Sequence, residues 1–231
     1  MAKVAFLGLG VMGYPMAGHL LKKGGHDVTV YNRTRAKAEQ WAKEYGGKHA
    51  GTPAGAARDC DYVMMCVGND DDVRSVVYGD QGALGGMKKG SVLVDHTTAS
   101  ALLAREIHEK ALARGIGFID APVSGGQAGA QNGQLGIMCG GDPAVFEKAK
   151  PVIDIYAKLA ALIGGPGSGQ LTKMVNQICI AGLAQALAEG LSFAKRSNLD
   201  LEKVISVISK GAAQSWQMEN RWKPMSELKA E

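Results

Sequence analysis

The sequence predicts an α/β protein: a doubly wound parallel sheet, then a long helix leading into an incomplete all-helical region. Three observations predict it. Short apolar runs alternate with helical stretches over the first 120 residues; a glycine turn follows the first run and opens a helix; and from Gln170 to Arg196 strong helix formers run without a break.

Lys3 to Leu9 reads as a short buried strand, and Gly13 to Lys23 as a helix with Met16, Ala17, Leu20 and Leu21 on its apolar side. Gly24-Gly25 stops that helix, and Asp27 to Tyr31 forms the second strand. Thr34 to Tyr45 is a helix ended by Gly46-Gly47. Strands at Tyr62 to Val67, Ser91 to Asp95 and Gly117 to Asp120 then alternate with helices at Asp70 to Val77 and Ser100 to Arg114. This alternation implies a parallel sheet covered on both faces. A glycine-rich stretch, Ser124 to Gly141, precedes a helix from Pro143 to about Tyr156, a short strand at Ala160 to Ile163 and a second glycine cluster, Gly164 to Gly169. The long helix from Gln170 and a shorter one at Leu201 to Lys210 follow. The tail, Gln214 to Glu231, is polar, with no obvious partner for its apolar side.

Bulk properties narrow the function. The 231 residues are 46% apolar and 21% charged, and a scattered net charge of +4 suits small anionic ligands but is too weak for nucleic acid. Cys60, Cys66, Cys139 and Cys179 show no CxxC spacing and no neighbouring His pair, which predicts buried, reduced thiols and no metal. Val4 to Leu9 runs straight into glycines with no cleavage site, and no stretch reads as the ~18 apolar residues of a membrane span. The expected setting is the cytoplasm, without a membrane partner.

Gly8-Leu9-Gly10-Val11-Met12-Gly13 is G-x-G-x-x-G between a strand and a helix. Gly8 permits the tight turn, Gly10 lets backbone approach a pyrophosphate, and Gly13 lets helix and strand pack closely; the anion then sits on the helix N-terminus. This is the fingerprint of a Rossmann-like dinucleotide fold, so residues 1–163 are expected to form a nucleotide-binding domain, with residues 164–231 expected as an incomplete helical domain for substrate and dimerisation. At the end of the second strand, where an NAD enzyme carries Asp or Glu, stand Asn32, Arg33 and Thr34. A guanidinium pairs with a 2′-phosphate that a carboxylate would repel, so NADP(H) is the expected cofactor.

Asp120 to Gly126 (DAPVSGG) follows the last alternating strand and so lies at the carboxyl edge of the sheet. Ser124, Gly125 and Gly126 there offer a hydroxyl and accessible N–H groups to a carboxylate, or simply form a turn. Lys173 and Asn176, three apart on the long helix, share a face. A lysine near a helix start can lose basicity through the dipole and desolvation, and so exchange protons near neutrality; the blander reading is a solvated lysine. No histidine competes: His96 is closest to the sheet edge but has no orienting carboxylate in sight.

Together FLGLGVMGYPMA (Phe6 to Ala17), DAPVSGGQAGAQNGQLGIMCGG (Asp120 to Gly141) and GPGSGQLTKMVNQ (Gly165 to Gln177) resemble three signatures of the β-hydroxyacid dehydrogenase family, which includes 3-hydroxyisobutyrate dehydrogenase, tartronate semialdehyde reductase and glyoxylate/succinic semialdehyde reductase. The resemblance implies an NADP-dependent enzyme that interconverts a small hydroxy acid and its semialdehyde; the long helix from Gln170 and the unfinished second domain would leave apolar surface exposed, so a homodimer or homotetramer is expected. It implies Lys173 as general acid/base, Ser124 and Gly125 on the substrate carboxylate, and Asn176 assisting, with Gln177 at the place where some relatives carry that asparagine. It also implies Thr98 between nicotinamide and substrate, Val67 and Gly68 along the ribose, and Trp216 against the substrate. Members of the family run further at the C-terminus, so a truncated second domain is expected. Two alternatives stay open: an imine reductase on the same scaffold, which Lys173 disfavours, and a cofactor-binding module without catalysis.

Overall fold

Nearly continuous apolar runs form the central strands, because a parallel strand is covered on both faces and has no solvent side to keep polar. The computed structural model describes residues 1–227. Its strands are β1 (Lys3–Leu7), β2 (Asp27–Tyr31), β3 (Lys48–His49), β4 (Tyr62–Met65), β5 (Val92–Asp95), β6 (Gly117–Asp120), β7 (Val123–Ser124), β8 (Leu135–Gly141) and β9 (Ala157–Gly164). Its helices are α1 (Gly13–Lys22), α2 (Arg35–Tyr45), α3 (Pro53–Ala57), α4 (Asp70–Val77), α5 (Ala83–Gly86), α6 (Ala101–Leu112), α7 (Gly126–Asn132), α8 (Pro143–Ile153), α9 (Ser168–Arg196), α10 (Leu201–Ile208) and α11 (Trp216–Glu227).

The sheet runs β3-β2-β1-β4-β5-β6-β8-β7, with β9 paired to β8. Strands β1 to β6 pair in parallel as the alternation predicts. Beyond β6 the sheet departs from the all-parallel expectation. Strand β8 runs antiparallel to both β6 and β7, and the glycine-rich stretch is a strand-helix-strand unit rather than a loop. Successive strand residues point to opposite faces and so feed two cores. Phe6 and Met64 join Met16, Leu20, Trp41 and Tyr156 on one side, while Leu7, Val63 and Met65 join Leu103, Ile107 and Phe118 on the other.

The chain divides into two compact units, Met1–Lys173 and Met174–Glu231, so the division falls inside α9 rather than at the 163/164 boundary expected from the sequence. The reason is local: hydrogen bonds from Gly167 and Gln170 to Asp120 tie the first turn of α9 to the sheet edge. In the second unit, Leu187, Leu191, Ile205 and Met218 form a small core with Trp222 and Met225 against it. The tail thus has the partner that the sequence did not reveal: Met218, Trp222 and Met225 recur at helical spacing and form one seam of α11. Residues 228–231 of that tail lie outside the described residues.

Two further expectations need correction. By length and composition alone, α9 is long and apolar enough to cross a bilayer, because 29 residues carry few charges. Its first turn is hydrogen-bonded to Asp120 at the end of β6, and Gln177, Gln185 and Glu189 interrupt its apolar surface. All four cysteines are free, but only Cys60 and Cys139 are buried; Cys179 stands exposed on α9.

Candidate active site

At the carboxyl ends of β1, β2 and β4 a cleft of about 470 Å³ opens. Gly8, Gly10, Val11, Met12 and Gly13 line it from the glycine turn, Asn32, Arg33 and Thr34 from the end of β2, and Val67 and Gly68 from beyond β4. Each glycine has its own physical reason. Gly8 has φ +96°, a left-handed conformation, and a Cβ there would run into the Cys66 carbonyl. A Cβ on Gly13 would meet the Gly8 carbonyl and the Phe6 ring. A Cβ on Gly10 would meet nothing and would project into open space at the cleft, filling the cradle an incoming phosphate needs.

Helix α1 begins without a side-chain cap and without an acidic residue in its first turn. Tyr14 N–H is taken by the Gly10 carbonyl and Pro15 has none, so the positive dipole end meets the cleft through the backbone of Gly10 to Gly13, with no acidic side chain in that turn to offset it. Helices α4, α6 and α8 by contrast are capped by Asn69, Ser100 and Asp142. The residues present therefore fit the pyrophosphate of a dinucleotide.

Two predicted cofactor residues play supporting parts. Leu9 is buried, and its N–H donates to Asn32 Oδ1 at 2.9 Å; Asn32 Nδ2 in turn donates to the Thr34 carbonyl at 3.0 Å. Asn32 thus spends its amide bracing the two loops against each other. Arg33 is free to meet solvent, with its side chain 86% exposed, but its guanidinium reaches across the cleft mouth to Asp72, 3.0 Å away. Lys37, Asp72 and Ser75 also line the cleft, and sequence reading missed all three. Thr98 is exposed in the loop after β5 and does not line this cleft.

Around the ends of β5 and β6 lies a buried polar network. Asp120 is fully buried and accepts N–H donors from Gly167 (2.8 Å) and Gln170 (2.9 Å), so its carboxylate occupies the N-terminus of α9. Gln170, also buried, donates to the Thr97 carbonyl (2.7 Å) and accepts from Ala99 N–H (3.0 Å). Lys173 follows on the same first turns, half-buried, and desolvation pulls its ammonium below the ordinary lysine value. The helix dipole, expected from the sequence to help, is met by the Asp120 carboxylate, which leaves desolvation as the cause. Ser124 ends β7, half-buried, followed by Gly125 and Gly126, both exposed and both at positive φ (124° and 60°). Asn176 and Trp216 belong to the second unit: Asn176 Nδ2 donates to Gln177 Oε1 at 3.0 Å, and exposed Trp216 carries the Arg221 guanidinium 5.7 Å from its ring.

His96 is no acid/base candidate. Its Nδ1 lies 2.8 Å from the Ala121 carbonyl, which can only accept, so Nε2 accepts the Tyr156 hydroxyl at 2.8 Å. Burial holds this imidazole neutral, down to a pKa of about 4, while burial and the charges of Asp120 and Asp70 push Asp95 up to about 7. The two act on stability with opposite signs. Unfolded, His96 gains a proton below about 6.5 and the folded form does not until about 4, so stability is lost as pH falls through that window. Folded Asp95 takes its proton near 7 and the unfolded form only near 3.8, so its contribution grows as pH falls. Asp95→Asn removes the second effect and keeps an acceptor for Thr97 N–H. Between pH 7 and pH 4 the variant is expected to lose on the order of 3–4 kcal/mol relative to the parent in urea unfolding. Parallel pH profiles would rule this out.

The glycine turn, the open α1 N-terminus and the cleft at the sheet's carboxyl edge define a dinucleotide-binding protein of the Rossmann class. Residues 3–165 match the NAD binding domain of 6-phosphogluconate dehydrogenase, and residues 167–229 match a family described as NAD-binding of NADP-dependent 3-hydroxyisobutyrate dehydrogenase. An uncharacterized oxidoreductase of Shewanella frigidimarina is 66% identical over 97% of this chain and 77% of its own length. The 2-hydroxy-3-oxopropionate reductase of Escherichia coli is 34% identical over 92% of this chain and 72% of its own. Among solved structures, a 3-hydroxyisobutyrate dehydrogenase of Mycobacterium tuberculosis with L-serine superposes with TM-score 0.89 at 30% identity, covering 96% of this chain and 75% of that one. The chain belongs to the β-hydroxyacid dehydrogenase family, and with it to the NAD(P)-dependent oxidoreductases of CH–OH donors.

Proposed function

We propose that the chain is an NADP-dependent enzyme interconverting a small hydroxy acid and its semialdehyde, with Lys173 as general acid/base. The observation that carries the cofactor reading is Arg33 at the mouth of the glycine-turn cleft, with Lys37 beside it and no carboxylate at the end of β2. The match of residues 167–229 to a family described by NADP-dependent 3-hydroxyisobutyrate dehydrogenase supports it.

Bound NADPH supplies a hydride to the substrate carbonyl carbon. The chain's own residues do the rest. The Ser124 hydroxyl and the N–H groups of Gly125 and Gly126 hold the substrate carboxylate, fixing the carbonyl for attack. Lys173 Nζ delivers a proton to the developing alkoxide and takes it back in the oxidation direction, a part that its depressed basicity favours. Exposed Val175, Ile178 and Phe193 on α9 support assembly as a homodimer or homotetramer.

Arg33→Asp tests the cofactor reading. A charge-assisted hydrogen bond is worth about 1.5–3 kcal/mol, so NADPH binding is expected to weaken by a factor of ~10–100 while NADH binding holds or improves. Loss of reduced-nicotinamide absorbance over a panel of short semialdehydes tests the substrate class. An unchanged NADPH/NADH preference, or turnover of none of the panel, removes the corresponding half of the proposal.

A further inference from the structure

The residues at the end of β2 read as selecting a phosphorylated dinucleotide, yet a carboxylate reaches the same place from another element. Asp72 sits in the first turn of α4, where its backbone N–H is fixed by Asn69 Oδ1 at 2.9 Å. Its side chain is 30% exposed, against 86% for Arg33, and Oδ1 stands 3.0 Å from Arg33 Nη1. Oδ2 overlies Gly68, where a Cβ would collide with it. The carboxylate therefore lies between Gly68 and the Arg33 guanidinium, on the wall of the cleft. The two neighbouring acids are engaged elsewhere: Asp70 accepts from Ser100, and Asp71 lies 3.9 Å from Arg74. Asp72 is the member of this acidic turn that lines the cleft.

We propose that Asp72 sets how strongly the cleft prefers NADP over NAD. The inference rests on the reading that Arg33 receives a 2′-phosphate. Such a phosphate carries nearly two negative charges, and approaching Arg33 it also approaches the carboxylate that already holds Arg33. It must displace Asp72 from the guanidinium or lie beside a like charge. A ribose 2′-hydroxyl meets the opposite situation, because the same carboxylate accepts its hydrogen bond. Asp72 thus supplies from α4 the acid that NAD enzymes carry at the end of β2, and it narrows a preference that Arg33 and Lys37 would otherwise make steep.

The test is equilibrium titration of NADP+ and of NAD+ into the purified chain and its Asp72→Asn and Asp72→Ser variants at one ionic strength, with thermal unfolding to verify the fold. Both variants are expected to bind NADP+ about tenfold more tightly, with NAD+ binding unchanged or weakened. The inference is overturned if the NADP+/NAD+ affinity ratio stays constant, if both affinities move together, or if NADP+ binding falls because Asp72 orients Arg33 for the phosphate. A parent chain that binds NAD+ more tightly than NADP+ would remove the cofactor reading instead, and the change of ratio on substitution would still judge Asp72.

Discussion

Replacement of Lys173 by alanine is expected to lower kcat by about 10²–10⁴-fold, the usual worth of a positioned proton donor. NADPH affinity should hardly change, because Lys173 is not among the residues lining the glycine-turn cleft. The lysine is half-buried at the head of a 29-residue helix, and desolvation lowers its basicity. In the oxidation direction the neutral amine is the active form, so activity should rise with pH through a value below that of an ordinary lysine. Lys173→Arg keeps the charge but cannot give up its proton at accessible pH, and should restore little of that activity. A Lys173→Ala enzyme retaining most of its turnover would end the assignment, whatever the cofactor proved to be.

The second large effect is on stability. Asp120→Ala strips the acceptor from two buried N–H groups, those of Gly167 and Gln170, at the start of α9. A buried donor left unsatisfied costs ~1–3 kcal/mol, and bonds to a charged acceptor lie at the upper end, so a loss of about 3–5 kcal/mol is expected in chemical unfolding. Asp120→Asn keeps one carbonyl oxygen and should lose less. Equal unfolding midpoints for Asp120→Ala and the parent would show that the α9 terminus finds other partners.

The parallel half of the fold was legible because its signals are local. KVAFL and VLVD carry apolar runs without alternation, and Gly13 is pressed by Gly8 and Phe6 of its own segment, although the Cys66 carbonyl that excludes a side chain at Gly8 comes from the far end of β4. What stayed hidden depends on partners far along the chain. Strand β8, LGIMCGG, lacks the β-branched pattern of a strand and owes its form to pairing with β6, β7 and β9. Asp120 lies 50 residues from Gln170, so a dipole argument for Lys173 made from the helix alone could not see the anion already sitting there. Asp72 stands 39 residues from Arg33 for the same reason. Leu9 was counted with the cofactor because it lies inside the motif, but its side chain turns to the core, where a six-residue pattern cannot follow.

The Asn32 brace has a practical consequence for redesign. Reprogramming a nucleotide fold usually begins by transplanting the segment after its second strand, with an acid installed at its head. Here that head is already a rivet: one amide fastens Leu9 of the glycine turn and Thr34 of the following loop at once. An aspartate in its place could still accept from Leu9 but could offer nothing to the Thr34 carbonyl. A graft that swaps Asn32 would loosen the phosphate cradle along with the intended selectivity, whereas edits on α4 leave the rivet intact.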